Sequence, residues 1–311
     1  MFRSGDRGPR VAVVTDSTAS LPAGLAERWG IEVVPLEVVV DGERHHEGLD
    51  LTSADLLTAL TAGRKVTTSQ PSPAVFARAY AHAVERGARE IVSVHLSGEL
   101  SGTVRAAELA ALAAPVPVHV VDSRTVAMGL GLAAIAAAEL VAPPPRTGHG
   151  LPGRSPAGRS LAPGGALAAE RARQVAASSS TLFLLDSLDQ LRRGGRIGSG
   201  AATMGTLLGL RPLLTLRSGR IEVVEKVRTR RAARERLEAL TVKDVRARGG
   251  AQIAVHHLGQ PELAAQVAAA LESALCDGDA RVVGRVAVSE ISAVIAAHAG
   301  PGLLAVVVAD R

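Results

Sequence analysis

The first half of the chain alternates between short apolar runs and amphipathic stretches. VAVVTD (11–16) is a compact β-rich run, and IEVVPLEVVV (31–40) reads as the next strand, turning at Asp41-Gly42. Between them, Pro22 to Trp29 reads as a short helix with Gly30 placed to stop it. Residues 71–87 carry clearer helix signals. Ser72 is the candidate N-cap, and Pro73 sits in the first turn, where its missing N–H costs nothing. Phe76, Ala79, Tyr80 and Ala83 fall on one face, and Gly87 lies past the end. Strand IVSVH (91–95), helix 103–114, strand PVHVVD (117–122) and a helix beyond Arg124 follow. Repeated strand–helix units of this length predict a doubly wound parallel sheet.

The second half is patterned differently. LLTLRSGRIEVVEKV reads as a hairpin turning at Ser218-Gly219. The strands IAVHH (253–257), RVVGRVAV (281–288) and LLAVVV (303–308) flank a helix at 261–275. This mixture predicts an α+β domain with a partly antiparallel sheet. Residues 143–165 are rich in Pro, Gly, Ser and Arg without periodicity and read as a linker or surface insertion. The expected organisation is an α/β domain over 1–165, whose loops carry the candidate chemistry, and an α+β domain over 166–311.

Composition narrows the function classes. Hydrophobic residues make up 47% of 311, which supports a sizeable core, yet the aromatics are only Trp29, Tyr80 and three phenylalanines. Extended stacking platforms for bases are therefore excluded, whereas aliphatic side chains can line a tunnel for a long apolar guest. The net charge of +5 comes from 35 basic and 30 acidic residues, interspersed, with no recognition motif beside the basic clusters. A DNA-binding regulator thus has only the charge balance behind it, and no nucleic-acid partner is expected. Cys276 is the only cysteine, which rules out an intrachain disulfide or a multi-cysteine metal site; it reads as a small half-buried residue. The N-terminal decapeptide lacks an apolar signal core, and the greasiest run, Val126 to Ala142, carries Glu139 and follows a strand as a crossover helix would. A soluble, cytoplasmic protein is the expectation.

Familiar catalytic signatures are missing. SGELSG has the wrong spacing for a nucleophile elbow. Gly129, Gly131 and Ala134 imitate a dinucleotide fingerprint but begin seven residues after Asp122, too far beyond the strand. His256 and His257 are adjacent on a strand, so they point to opposite faces and would not chelate one ion; no metal is expected. What remains is a set of hydroxyl-rich loops at the carboxyl ends of the first-half strands: 15–20, 67–72 and 95–103. That edge of an open α/β sheet is where ligands bind, beside helix N-termini with unpaired N–H groups. Thr68, Ser97 and Ser101 offer neutral donors to an anion, although Ser72 and Ser101 also suit plain helix caps. Arg196, Arg228 and His298 are isolated polar residues in the second half whose spacing does not tie them to these loops. An enzyme using Ser101 and His298 on a small phosphorylated or carboxylated metabolite is the rival from another class.

Eight segments in order resemble the DegV family, which includes the FakB subunits of bacterial fatty acid kinase. They are TDSTASLP (15–22), TSQPSP (68–73), LSGELSGT (96–103), VVDSRTVAMGLG (120–131), GGRI (194–197), LRPLLTL (210–216), KVRT (226–229) and VIAAHAGPG (294–302). The resemblance implies the EDD fold, with a parallel N-terminal domain, an α+β C-terminal domain and an acyl chain buried between or within them. It implies no cofactor and no catalysis by the chain itself. A long-chain fatty acid is the ligand, its carboxylate held by Thr68 and Ser101, with Ser97 and Gly102 in the same loop and His298 in the same hydrogen-bond network. Arg196 is implied near the head group and Arg228 near a docking face for an ATP-dependent kinase subunit, with at most transient membrane contact. Ser20 stands where relatives usually carry Asp, and the 143–165 stretch is longer than the usual connection.

Overall fold

The computed structural model describes residues 11–142, 163–197, 211–276 and 281–311; the 143–165 stretch lies outside them except for its last three residues. In chain order the first half comprises β1 (Val11–Asp16), a 3-10 turn (Ser17–Ala19), α1 (Leu25–Trp29), β2 (Ile31–Val34), β3 (Glu37–Val40), β4 (Glu43–His46), α2 (Ser53–Thr61), β5 (Val66–Thr68), α3 (Pro73–Glu85), β6 (Glu90–His95), α4 (Thr103–Ala111), β7 (Val118–Asp122) and α5 (Met128–Val141). The second half continues with α6 (Gly165–Ser178), β8 (Ser180–Leu184), α7 (Asp189–Arg193), β9 (Arg211–Arg217), β10 (Arg220–Val227), α8 (Arg230–Arg248), β11 (Gly250–His257), α9 (Pro261–Ala274), β12 (Arg281–Val282), β13 (Ala287–Glu290), α10 (Ala293–Ala299) and β14 (Leu304–Ala309).

The first sheet runs β2-β1-β6-β7 with every pair parallel, as the alternating pattern predicts. Helices α3 and α4 pack together against it, and α5 packs with α6. In α3 the Ser72 hydroxyl accepts from the Ala74 N–H, and the buried face is Phe76, Ala79, Tyr80 and Ala83. The single strand expected over 31–40 is in fact two. Pro35 has no N–H to give a ladder, the Leu36 N–H goes to the Ser17 hydroxyl, and β3 opens a separate antiparallel sheet, β4-β3-β5. Its first hairpin turns through Asp41 and Gly42, both at positive φ, the two-residue geometry that matches strand twist.

The second sheet has the order β10-β9-β8-β14-β11-β12, with β13 also pairing β11. It is antiparallel apart from β11–β12 and β11–β13. The run 281–288, expected as one strand, breaks around Gly284 at φ 84, so β12 and β13 meet β11 at different heights. Along β14, Ala305, Val307 and Ala309 face a core shared with the parallel sheet, while Leu304, Val306 and Val308 face a second cluster that includes Leu237 of α8 and Leu271 of α9.

Helix α5 explains why its sequence is apolar all round. It packs against β1 and β6, against α6 and against β14, so no face meets water along most of its length. Gly129 and Gly131 serve this packing, since a Cβ on Gly131 would lie 3.0 Å from the Ala19 carbonyl oxygen. Buried His256 holds the start of α5: its Nε2 accepts from the Met128 N–H at 3.1 Å, and its Nδ1 meets the Ser289 hydroxyl at 3.1 Å. Burial pushes His256 down to about 4, consistent with a neutral ring. Cys276, expected half-buried, is exposed just beyond α9. Among the described residues no helix is long and apolar enough to cross a membrane.

Candidate functional site

The end of β5, the loop after β6 and α10 converge on a cavity of about 170 Å³ between the parallel sheet and the second sheet. One end of its lining is polar, with Thr68, Ser69, Gln70, Ser101, Arg196 and His298. The rest is mainly aliphatic and is drawn from the second sheet and α10 together with first-half loop residues such as Leu36, Leu96 and Val126. The first-half loops and the second-half polar residues, which spacing could not connect, therefore share one wall.

The contacts at the polar end are specific. Thr68 Oγ1 lies 2.8 Å from His298 Nε2, joining the end of β5 to the last turn of α10. Gly194 allows this approach, because a Cβ there would come within 2.5 Å of His298 Nδ1. Burial, with a smaller push from the Arg196 charge, lowers His298 to about 4, so the ring is neutral near pH 7. Arg196 donates Nε–H to the Leu100 carbonyl at 3.1 Å and also bonds the Gly194 carbonyl, which ties the loop after β6 to the segment after α7. Among the described residues its remaining N–H groups take no partner, which leaves them for an anion.

Ser101 is not the cap of α4. That position is Gly102, without a side-chain bond, while the Ser101 hydroxyl meets Thr103 Oγ1 at 2.8 Å. The Gln70 side chain lies over Gly102, close enough that a Cβ there would fall 2.1 Å from its Nε2. The loops 67–72 and 95–103 thus touch. Ser97 is placed elsewhere: it is buried outside the cavity lining, donates to the Gly219 carbonyl at 2.9 Å and accepts from the Glu99 N–H. The tip of the β9–β10 hairpin is thereby pinned to the parallel domain, helped by Arg124 donating to the Ser218 carbonyl and by the Arg220–Glu99 ion pair. Gly219 is required there, since φ is +83 and a Cβ would lie 2.4 Å from Ser97 Oγ. Arg228 is exposed between β10 and α8 and does not line the cavity.

The third hydroxyl-rich loop, 15–20, was expected at the ligand edge but does not line the cavity, because its side chains are consumed internally. Thr15 donates to the Val94 carbonyl, Ser17 accepts from Leu36 N–H, and Ser20 accepts from Ser292 N–H at the start of α10. Asp16 forms a buried chain that sequence reasoning missed. Its carboxylate meets His95 Nδ1 at 2.9 Å, His95 Nε2 meets Ser93 Oγ at 2.6 Å, and Ser93 meets the Tyr80 hydroxyl at 2.9 Å. The same carboxylate accepts from the Leu96 and Thr18 N–H groups, so it fixes the start of the loop that carries Ser101. The available signal was Ser93 and His95 two apart in a strand, on one face and opposite Tyr80 of α3.

Helix α10 is anchored as carefully. Glu47, half-buried and raised above the ordinary carboxylate range by desolvation, accepts from the Ser292 hydroxyl at 2.8 Å and from the Ala293 N–H. Among the described residues no cluster of metal-ligating side chains is present.

A family model described as "Uncharacterised protein, DegV family" matches residues 10–143 and 166–311. The chain is 47% identical to the DegV domain-containing protein SCO2569 of Streptomyces coelicolor, over 97% of this chain and 99% of that one. Two solved structures share the architecture. The structure titled "Fatty Acid Binding of a DegV family Protein from Thermus thermophilus" is 34% identical with a TM-score of 0.79, covering 97% of this chain and all of that one. The structure of DegV, a fatty acid binding protein from Bacillus subtilis, is 28% identical with a TM-score of 0.79, covering 97% and 99%. The parallel sheet, the mixed second sheet and the cavity between them are those of a chain that belongs to the DegV family.

Proposed function

We propose that the protein binds a long-chain fatty acid in the cavity between its two sheets, does no bond chemistry on it, and presents its carboxylate to a separate ATP-dependent kinase subunit. The observation that carries the first part is a cavity with hydroxyls, a neutral imidazole and one guanidinium at one end and aliphatic walls beyond. The structural relatives titled as fatty-acid-binding support the same ligand class. In this reading His298 donates its Nε2 proton to Thr68 Oγ1, which frees the threonine proton for a carboxylate oxygen. Ser101 and the unused N–H groups of Arg196 complete the head-group cradle, roofed by Gln70 over Gly102.

The tail supplies the affinity. Burying a methylene contributes about 0.8 kcal/mol, so a palmitate-sized tail with roughly fourteen of them gains roughly 11 kcal/mol before binding costs are subtracted. The head group need only avoid burying an unpaired charge. The rival hydrolytic reading needs Ser101 bonded to a histidine acting as base, whereas Ser101 bonds Thr103 and His298 bonds Thr68.

Native mass spectrometry of freshly purified protein tests this directly. A co-purified long-chain acid is expected, and Thr68→Val and Ser101→Ala should each weaken reloading about tenfold. A protein that arrives lipid-free and resists loading with any long-chain acid overturns the reading.

A further inference from the structure

Outside the head-group cluster, the lining contains one polar side chain among the described residues, Thr181 of β8. It is only 3% exposed, and among the described residues its hydroxyl has no hydrogen-bond partner. That combination is unusual, because an unpaired buried hydroxyl destabilises the fold and a valine would fill the same volume. The Thr181 carbonyl accepts from Thr215, but the hydroxyl bonds neither this strand nor any other among the described residues.

The register places Thr181 well away from the head group. Thr181 and Phe183 alternate onto the cavity face, and they pair with Val307 and Ala305 of β14. Leu303, the residue before that strand, also lines the cavity and follows His298 by only five positions. From Leu303 to the level of Val307 is four residues, or roughly 13 Å along the sheet at ~3.3 Å per residue. A donor–acceptor thus stands beside the middle of an extended tail, where the wall otherwise offers only Leu, Ile, Val, Ala and Phe.

We infer that the cavity selects a long-chain acid carrying a hydroxyl on its tail, with Thr181 as the specificity-determining partner of that hydroxyl. A hydroxyl both donates and accepts, so it satisfies the threonine and is itself satisfied on entering an apolar tunnel. A plain aliphatic wall, by contrast, would exact the full desolvation penalty for the substituent. The inference rests on the proposed acyl ligand.

The test compares stearic acid with its monohydroxylated positional isomers on lipid-stripped wild-type protein, Thr181→Val and Thr181→Ser. One isomer, or two adjacent ones, should bind wild type about tenfold more tightly than it binds Thr181→Val, with the preference retained by Thr181→Ser. Stearic acid itself should bind Thr181→Val as well as wild type or better. If wild type and Thr181→Val rank all isomers identically while both bind stearic acid, the role of Thr181 is overturned and the carrier reading survives. If wild type binds none of the acids, both fall together.

Discussion

Two imidazole–hydroxyl pairs in the molecule, His95–Ser93 and His298–Thr68, are built for different ends. His95 is oriented by the Asp16 carboxylate and bonds Ser93, reproducing the acid–base–hydroxyl order of a hydrolytic triad, yet all three side chains are sealed inside the parallel domain. His298 bonds Thr68 on the wall of a cavity, where among the described residues no carboxylate orients it and Arg196 opposes its protonation. The sealed pair has the catalytic geometry without access, whereas the open pair has access without a base. Hydroxyl–imidazole proximity alone therefore identifies no chemistry; the third group and the exposure decide it.

Breaking the sealed pair should have the largest effect. Asp16→Ala removes the acceptor for His95, for the Leu96 N–H and for the Thr18 N–H, all in the interior. A loss of about 3–5 kcal/mol in urea unfolding is expected, as for other buried partners left alone. Fatty-acid loading should fail at temperatures where the parent protein still loads. A stability within experimental error of the parent would show that the network is dispensable and the contrast between the pairs illusory.

The open pair should reveal itself by pH instead. His298 and His256 both sit near 4 in the folded state against an ordinary 6.5, because burial disfavours the imidazolium. Unfolded chains then bind protons that the folded protein refuses. Stability is full above about pH 6.5 and declines as pH falls towards 4, by up to ~1.4 kcal/mol per pH unit for each ring. Glu47, raised by burial, contributes with the opposite sign, since the folded state holds its proton longer and loses that contribution as pH rises. The clean measurement is therefore a difference between proteins. His298→Gln should remove about one proton's worth of slope between pH 6.5 and 4 in urea midpoints; an unchanged slope would mean that the ring is not held neutral.

The contrast also marks how far sequence could reach. The parallel sheet was legible because each strand is a short apolar run punctuated by a capped helix, as at Ser72, Pro73 and Gly87. The β9–β10 hairpin was legible from Ser218-Gly219, both at positive φ. Pro35 was the overlooked stop, and missing it concealed the small sheet that delivers Thr68 to the cavity. Among the site residues, Thr68 and Ser101 stood out as hydroxyls at strand ends, but spacing could not join them to Arg196 and His298, which arrive from sequence distances such as the 230 residues between Thr68 and His298. The same loops misled at 15–20, where hydroxyl content looked like ligand chemistry but serves backbone N–H groups and carbonyls. Ser97 sits in the right motif, yet its bond goes to the hairpin tip. Whether a hydroxyl faces a cavity or its own backbone depends on tertiary packing, which no local pattern encodes.

The smallest effect on the isolated protein is expected at Arg228, and that is what makes it informative. The residue is exposed, lies outside the cavity lining and follows the last pair of the edge strand β10, so Arg228→Ala should disturb little packing and takes no donor from the cavity lining. Unfolding should change by no more than about 0.5 kcal/mol, as for an ordinary surface position. Loading with a long-chain acid should match the parent within twofold, roughly the error of a displacement titration. If this surface docks the proposed kinase subunit, the variant should nonetheless fail in a coupled assay that follows ATP-dependent phosphorylation of the bound acid. Loss of lipid loading would move Arg228 into the head-group network, while full coupled activity would remove it from the docking face. Either result separates holding the carboxylate from the proposed handing on, a distinction that a variant of either imidazole would not report.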